Sequence, residues 1–300
     1  MLIDGHNAIH RACVNFGPPR EHALCSNNCP HTSTHSKHCL CNAKWDVEDN
    51  KCYGEKYTFI FNFFRNLRPL IEDGSPDKVF FIMEGRPKFR YDLFPEYKAN
   101  RLVKYGSKQE VVDKFHSIKN EIIRLLQYLP ITIVRAENYE ADDVIGTLAE
   151  NMKEEDLTVI SNDSDFIQLL QRGYKHITIY NPMKKEVMVA PTYPYIVWKS
   201  LAGDKADNIP GLLKPKKALE TVNSPELFKK FMSVEENHAN FGIHLELIRF
   251  SPVPEEELIF KEGIKDFVSL KQEFAKMDFQ SIINEKSWEK YTSTFDCLRY

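Results

Sequence analysis

The sequence predicts an α/β fold, with a central, mainly parallel sheet in its N-terminal part and a helical domain after it. Short apolar runs rich in β-branched and aromatic residues alternate with segments of helical spacing through residues 1–190. Over residues 191–300 the pattern changes to mainly helical segments. Because strands that alternate with helices are typical of a parallel sheet covered on both faces, we expect a sheet domain over 1–190 and a helical domain over 191–300.

The individual elements follow from the same periodicity. Four apolar runs are predicted strands: 1–3 (MLI), 78–83 (KVFFIM), 131–134 (ITIV) and 157–161 (LTVIS). Three segments with helical spacing are predicted helices: 55–71, 108–128 and 142–153. The stretch 17–53 fits neither pattern, since it is polar, rich in Cys and His, and without periodicity. We therefore treat it as an insertion in the sheet domain.

The composition is that of an ordinary soluble globular protein, with 42% hydrophobic and 28% charged residues. The N-terminus MLIDGHN lacks the basic and apolar regions of a secretory signal, and no apolar run approaches the roughly 20 residues of a membrane helix. We therefore expect a cytoplasmic protein whose seven cysteines form no structural disulfides.

Carboxylates follow each of the four predicted strands. The acids are Asp4, Glu84, Asp163 and Asp165, together with Glu140, Asp142 and Asp143 in ENYEADD. Any one of them could simply cap a following helix. Because the carboxyl ends of parallel strands meet at one edge of a sheet, all of them are expected to converge. Unpaired, they would repel, so we expect divalent metal, and an oxygen-only ligand set selects Mg²⁺ or Mn²⁺ over zinc.

A further acid pair lies in AGDKADNIPG, where Asp204 and Asp207 are three residues apart. On a helical turn this spacing directs both carboxylates to one side, although a plain polar turn before the Asn-Ile-Pro-Gly break is the alternative. With the acids at the strand ends, the pair would complete a site for two ions. Two metals about 4 Å apart are suited to in-line attack at phosphorus.

The stretch GRPKFRYDLFPEYKANR, residues 85–101, alternates cations with aromatic rings. Cations can meet phosphates and flat rings can stack on bases, so this pattern indicates a nucleic-acid contact. The alternative is a solvated loop whose aromatic rings pack on the core. The candidate contacts in this stretch are Arg86, Lys88, Arg90 and Tyr97.

Five motifs occur in the order and spacing of the 5′-nucleases, namely LIDGHNAIHRA, GRPKFRYDLFPEYKANR, YEADDVIGTLA, ISNDSDFIQLL and GDKADNIPG. The chain resembles this family, which includes phage flap endonucleases and the 5′-nuclease domain of bacterial DNA polymerase I. The resemblance implies a PIN-like α/β domain, a helix–three-turn–helix in the helical domain, and two-metal hydrolysis of phosphodiester bonds. It also implies 5′–3′ exonuclease and flap endonuclease activity on DNA with 5′ flaps, nicks or RNA primers. We expect a monomer that works with replication proteins, in the host cytoplasm if a phage encodes it.

The resemblance also implies roles for single residues. Asp4, Glu140, Asp142 and Asp163 match the acids nearest the first metal, and Asp165, Asp204 and Asp207 match those of the second, with Asp143 between the groups. In YKANR, Lys98 and Arg101 match the basic residues that contact the scissile phosphate. A cation opposite the metals would stabilise the negative charge of the transition state.

Two positions depart from the family pattern. Glu84 stands where the family usually has Asp, so its longer side chain is expected to reach the metal through water. The glycine-rich hairpin that cradles duplex phosphate and a potassium ion is replaced by LLKPKKALE after Gly211, which leaves a potassium site in doubt. We expect lysine side chains to contact phosphate there instead, at Lys214, Lys216 and Lys217.

The insertion 17–53 holds five of the seven cysteines. The spacing between Cys25 and Cys29 falls in the range of zinc ligand pairs, whereas Cys39 and Cys41 are closer than usual. We predict a structural zinc on these four cysteines, with Cys52 or a histidine as a substitute for one of them. The alternative is a flexible loop with reduced thiols.

Two other functions are compatible with parts of the sequence. A PIN-type ribonuclease for single-stranded RNA would share the acidic pocket, but it would need neither the helical domain nor GDKADN. A non-catalytic DNA-structure-binding protein would be expected to have lost some of the acids, and every position here keeps its carboxylate. The sequence therefore favours the nuclease.

Overall fold

The computed structural model describes residues 1–14, 45–46, 51–52, 54–100 and 109–299. The chain folds into two compact units, and each is assembled from separate stretches of sequence. The first unit comprises Met1–His6, Phe80–Gln109 and Val134–Phe260, and the second comprises Asn7–Val79, Glu110–Ile133 and Lys261–Tyr300. The predicted boundary near residue 190 therefore falls inside the first unit.

A mainly parallel sheet forms the frame of the fold. In the described chain its strands are β1 (Leu2–Asp4), β4 (Phe80–Met83), β5 (Thr132–Arg135), β6 (Leu157–Ile160), β7 (Ile177–Asn181), β8 (Glu186–Val187) and β9 (Ile259–Lys261), in the order β8-β7-β6-β1-β4-β5-β9. Strand β1 pairs in parallel with both β4 and β6, and β6 pairs in parallel with β7. Strand β8 is antiparallel to β7. A separate antiparallel pair joins β2 (Trp45–Asp46) to β3 (Lys51–Cys52).

Helices connect these strands and dominate the C-terminal part. The described helices are α1 (Gly5–Val14), α2 (Gly54–Gly74), α3 (Lys88–Leu93), α4 (Gln109–Leu126), α5 (Ala141–Asn151), α6 (Ile167–Leu170), α7 (Tyr195–Ala202), α8 (Pro215–Val222), α9 (Pro225–Met232), α10 (Glu235–Ile248), α11 (Phe267–Lys276), α12 (Gln280–Ile283) and α13 (Glu285–Ser293). Single 3₁₀ turns occur at Ser164–Phe166 and Glu255–Glu257. Among these helices, none has the length and apolar character that a membrane crossing requires.

The core of the first unit explains why the acids at the strand ends meet. Side chains of the central strands, including Leu2, Ile82 and Val159, are fully buried against Val144 and Ile145 of α5. These β-branched and aliphatic residues fill a sheet face that a helix covers, as the alternating pattern predicted. Because the parallel strands are held in register, their carboxyl ends lie at the same edge of the sheet, and so do the acids that follow them.

The predicted fold class is confirmed, and the four predicted strands and three predicted helices are present within a few residues of the expected bounds. Strands β7, β8 and β9 were not predicted. Strand β7 has five residues, whereas β8 and β9 are only two and three residues long and all their side chains are exposed. Such short, exposed strands carry no alternation between buried and solvent-facing residues.

The second unit has a core of aromatic rings. Phe64 of α2 and Phe274 of α11 are fully buried, and their ring centroids are 5.1 Å apart in an edge-to-face arrangement. Phe279 and Tyr291 pack around Phe274 at centroid distances of 5.2 Å and 6.1 Å. Such pairs add stability beyond the area that they bury.

A buried histidine in the first unit generates a testable pH dependence. His244 of α10 is 6% exposed, and its Nδ1 lies 3.0 Å from the carbonyl oxygen of Ser200, to which it donates a hydrogen bond when that nitrogen is protonated. Burial lowers the pKa of His244, although the contact with Ser200 acts in the opposite direction. The unfolded chain therefore binds a proton at a higher pH than the folded protein does, and stability falls as the pH drops below the ordinary histidine pKa.

We expect His244→Asn, whose amide can donate to the same carbonyl, to flatten the fall in unfolding free energy between about pH 7 and pH 5. For one proton the difference in slope is at most about 1.4 kcal/mol per pH unit. Urea unfolding across this range measures it, with the exposed His238→Asn in the same helix as the control. If the unfolding free energy depended equally on pH in the wild type and both variants, burial of His244 would not be the source of the pH dependence.

Candidate metal centre

The first turn of α5 brings three acids together at the end of the sheet. Oxygen atoms of Glu140, Asp142 and Asp143 lie within 4.8 Å of one another. The backbone N–H of Glu140 donates to Asp143 Oδ2 at 3.1 Å, which fixes the start of the helix. One acid is useful at a helix N-terminus, but three at this spacing require nearby positive charge.

Arg90 supplies part of that charge from inside the protein. Its Nη1 and Nη2 donate to the two oxygens of Asp143 at 2.6 and 2.7 Å, and Nη1 also donates to Glu140 at 3.1 Å. Its Nε donates to the carbonyl of Leu247 at 3.1 Å, and Nη2 donates to the carbonyl of Arg249 at 3.0 Å. Five hydrogen bonds therefore match the five N–H donors of the guanidinium.

The prediction that Arg90 contacts nucleic acid is wrong for this structure, because its side chain is 1% exposed and fully bonded. Asp143 is 0% exposed, and besides Arg90 it accepts a hydrogen bond from the backbone of Ser251 at 2.7 Å. Its two oxygens thus accept hydrogen bonds from protein donors in this structure, while Asp143 also lies in the acid group that could hold a metal, so its role as a ligand stays a prediction. The alternation of cations and rings in 85–101 could not distinguish this inward-facing arginine from its exposed neighbours.

Glu140 accepts from three donors. Besides Arg90, the hydroxyl of Tyr97 donates to its Oε2 at 2.8 Å, and the ammonium of Lys98 contacts its Oε1. Burial acts to raise the pKa of Glu140, but the charges of Lys98 and Arg90 outweigh it and hold the pKa below its usual range. Glu140 is therefore ionised at neutral pH.

Tyr97 joins the first acid group to GDKADN, since its hydroxyl also lies 3.2 Å from Asp207 Oδ2. The side chain is 2% exposed, so the prediction that it stacks on a nucleic-acid base is wrong for this structure. Burial, together with the neighbouring carboxylates Glu140 and Asp207, raises the pKa of Tyr97. It is a neutral hydrogen-bond donor that holds two acids from distant parts of the chain.

Lys98 lies at the same junction. Its backbone N–H donates to the carbonyl of Asp207 at 2.9 Å, and its Nζ lies 3.6 Å from Asp207 Oδ2. The backbone of Lys98 has φ +57°, an unusual value for a residue with a side chain. Asn208 donates from its side chain to the carbonyl of Glu96 at 2.8 Å, which ties the same two segments together. The structure thus brings Glu96 and Lys98 into contact with Asp207 and Asn208 of GDKADN.

Asp142 is the member of the first group with the greatest need for a cation. Burial and the charges of Asp143 and Glu140 raise its pKa well above the usual range, although Arg90 and Lys98 act in the opposite direction. A divalent ion would keep this carboxylate ionised. All the donors here are carboxylate oxygens, which fits Mg²⁺ or Mn²⁺.

A second group of acids follows β6. The hydroxyl of Ser161 donates to Asp4 Oδ2 at 2.8 Å and accepts from the backbone N–H of Asp163 at 3.1 Å. Asp163 in turn caps the 3₁₀ turn, because its Oδ1 accepts from the backbone of Asp165 at 2.9 Å. Ser161 therefore connects Asp4 to Asp163, and Asp163 in turn connects to Asp165, as expected for strand ends that share an edge.

Lys199 of α7 bridges Asp165 and Asp204. Its Nζ contacts Asp165 Oδ1 and lies 2.6 Å from Asp204 Oδ2. Burial raises the pKa of Asp165 to about 7 even though Lys199 acts to lower it. Sequence reasoning missed Lys199 because a single lysine on a helix usually faces water; its position five residues before Asp204 was the available signal.

The turn that carries Asp204 depends on Gly203. This glycine has φ +77°, and an added Cβ would lie 2.6 Å from the backbone of Ile209 and Gly211. The tight approach allows Asp204 and Ile209 to exchange two backbone hydrogen bonds of 2.9 and 2.7 Å. The result is a closed loop that holds the Asp204 carboxylate against Lys199.

The remaining predicted residues are distributed around this site. Glu84 contacts His6 Nδ1 through Oε1 at 2.9 Å, and both side chains are 33% exposed. Five predicted nucleic-acid contacts are exposed, namely Arg86, Lys88, Lys214, Lys216 and Lys217. Arg101 and the zinc candidates Cys25, Cys29, Cys39 and Cys41 lie outside the described residues.

Comparison with known proteins identifies the family. Residues 1–194 match the model of the 5′-3′ exonuclease, N-terminal resolvase-like domain. The chain is 30% identical over 250 residues to DNA polymerase I of Chloroflexus aurantiacus, and the match covers 78% of this chain and 22% of the polymerase. It is 28% identical over 183 residues to a 5′-3′ exonuclease of Mycobacterium tuberculosis, covering 53% of this chain and 58% of that protein.

Solved structures show the same fold. The D15 flap endonuclease of bacteriophage T5, in complex with DNA and metal ions, matches with a TM-score of 0.55 at 16% identity, over 98% of this chain and 97% of that one. Flap endonuclease-1 of Methanococcus jannaschii matches with a TM-score of 0.60 at 15% identity, over 98% and 92% of the two chains. The fold is therefore that of the PIN-like flap endonucleases, and the chain belongs to the 5′-3′ exonuclease family.

The buried ion pair predicts a large loss of stability when it is broken. We expect Arg90→Met to lower the free energy of unfolding by about 3–5 kcal/mol, because Asp143 would remain charged and buried without its partner. Lys88→Met in the same helix removes only an exposed pair with Asp92 and should cost less than about 1 kcal/mol. Urea denaturation followed by circular dichroism measures both. A similar, small loss in the two variants would contradict the structural role of Arg90.

Proposed function

We propose that the protein is a metal-dependent 5′-nuclease that hydrolyses phosphodiester bonds as a 5′–3′ exonuclease and flap endonuclease. One observation carries this proposal: Glu140 and Asp207 come from separate motifs and share the Lys98 ammonium. A cation among convergent carboxylates is the arrangement that phosphate chemistry requires. Membership of the exonuclease family supports the same reaction. The proposed substrates are DNA with 5′ flaps, nicks or RNA primers.

The oxygen donors are proposed to hold two Mg²⁺ or Mn²⁺ ions. The proposed first set is Asp4, Glu140, Asp142 and Asp163, the second is Asp165, Asp204 and Asp207, and Glu84 acts through water. Bound metal supplies positive charge to the reacting phosphate and activates water. Asp143 lies between the two sets, and Arg90 binds its two oxygens in this structure. The protein's own contribution is to fix these carboxylates before substrate arrives.

Lys98 is proposed to stabilise the charge that develops on the scissile phosphate. The Lys98 side chain is a point charge on a flexible stem and is 13% exposed. Its ammonium lies between Glu140 and Asp207. Arg101 is proposed to assist from the same motif. Five exposed cations are proposed to bind backbone phosphates that are distant from the reacting bond, namely Arg86, Lys88, Lys214, Lys216 and Lys217. The three lysines lie at the start of α8.

Several finer assignments remain proposals. A structural zinc on Cys25, Cys29, Cys39 and Cys41 is proposed from spacing alone. A potassium site after Gly211 is not proposed, because α8 begins there with Pro215 and three nearby lysines. We also propose a cytoplasmic monomer that acts with replication proteins.

The metal requirement gives the first test of function. We expect cleavage of a 5′-labelled flap and of a nicked duplex in Mg²⁺, and EDTA should abolish it. Asp163→Asn should remove cleavage and leave substrate binding, because only charge near the proposed metal is lost. Asp156→Asn, at an exposed site, is the control. Activity near wild type in Asp163→Asn would refute the site assignment.

The role of Lys98 predicts a separation of rate from affinity. We expect Lys98→Ala to lower the single-turnover rate by about 100-fold to 1000-fold, the typical cost of removing one transition-state donor. The exposed Lys205→Ala in GDKADN is the matched control and should lower it far less. Quench-flow measures the rate and fluorescence anisotropy the affinity. An unchanged rate with weaker binding would assign Lys98 to general phosphate contact.

A further inference from the structure

Lys199 occupies the space between two acids that come from different segments. Asp165 lies in the 3₁₀ turn after β6, and Asp204 lies in the turn after α7. The ammonium contacts one oxygen of each, and the side chain of Lys199 is 9% exposed. The arrangement is a carboxyl–ammonium–carboxyl triad.

Other contacts hold the two acids in place independently of the lysine. Asp204 Oδ1 accepts from the backbone N–H of Ala206 at 2.7 Å. The backbone N–H of Asp165 donates to Asp163 at 2.9 Å, and the hydroxyl of Tyr195 lies 3.4 Å from Asp165 Oδ1. The ammonium is thus the exchangeable member of the triad, because a backbone N–H also binds the Asp204 carboxylate and the Tyr195 hydroxyl lies beside the Asp165 carboxylate.

Lys199 also differs from Arg90 in the way it is held. The five N–H donors of Arg90 all have protein acceptors, so that pair is fixed. Lys199 is a point charge on a flexible four-carbon stem, and in the described part of the chain its ammonium contacts the two acids and no backbone carbonyl. A lysine can leave such a position by rotating its side chain, which a five-bonded guanidinium cannot do.

We propose that Lys199 is the counter-ion of Asp165 and Asp204 in the metal-free protein, and that a divalent cation binds there by displacing its ammonium from these two acids. The inference rests on the proposed function, since it takes these two acids as metal ligands. An ammonium that stayed in contact with the two carboxylates would repel a divalent ion bound to the same oxygens. Lys199 therefore balances part of the negative charge of the two acids before metal arrives and lowers the apparent affinity for metal.

Metal titration of the full-length protein without DNA tests this. We expect Lys199→Met to bind Mn²⁺ at least about tenfold more tightly than wild type in isothermal titration calorimetry, because the competing charge is gone. Lys205→Met removes the same charge from an exposed position in the same acidic segment and should leave the affinity within about twofold. Unchanged or weaker Mn²⁺ binding in Lys199→Met would overturn the proposal that the metal displaces the Lys199 ammonium. Absence of Mn²⁺ binding to the wild type would overturn the proposed function itself.

Chemical labelling of the wild type gives a second test that does not depend on the folding of a variant. Trace acetylation followed by mass spectrometry compares the reactivity of Lys199 with that of Lys205. We expect saturating Mn²⁺ to raise the reactivity of Lys199 several-fold relative to Lys205, because its ammonium leaves the two carboxylates. An equal or lower relative reactivity in Mn²⁺ would overturn the proposal.

Discussion

The pairing of Arg90 with Asp143 is the interaction on which the rest of the site depends. It places a full positive charge behind three acids that would otherwise repel, at a point that water does not reach. The same guanidinium binds the carbonyls of Leu247 and Arg249, so it also fixes the end of α10. Neither charge can be removed alone without leaving the other buried and unpaired, which makes the arrangement of the first turn of α5 rigid.

Two lysines complete the charge balance around this fixed pair. Lys98 lies between Glu140 and Asp207, and Lys199 lies between Asp165 and Asp204. Each joins a carboxylate at a strand end to one in GDKADN. The protein therefore assembles its acidic edge by interleaving cations with carboxylates. Divalent ions are proposed to enter a site whose geometry already exists, and this reduces the reorganisation that binding requires.

The burial of Tyr97 and Arg90 changes how the stretch 85–101 is understood. Its inward-facing members hold carboxylates, while Arg86 and Lys88 remain exposed. One short segment thus supports the metal centre from one side and is proposed to contact nucleic acid from the other. The proposed nucleic-acid contacts and the residues that position the acids therefore lie in the same segment.

Local pattern was enough to predict the sheet, the helices around it and the acids at its edge. Runs such as LTVIS and KVFFIM are short and apolar, as strands of a buried sheet are. A carboxylate that directly follows a parallel strand must lie at the carboxyl end of the sheet. The motif spacing was likewise enough to indicate the 5′-nuclease family, which the family match over residues 1–194 confirmed.

Only the tertiary structure decided which cation meets which acid. Arg90 is 53 residues from Asp143 and 157 from Leu247, and Lys199 is 34 residues from Asp165. Hydrophobic periodicity records which face of an element is buried, but it does not record the partner that a buried charge will find across the fold. From sequence alone, a lysine or arginine is predicted to be exposed to solvent. It becomes an internal counter-ion only when packing removes water from both members of the ion pair.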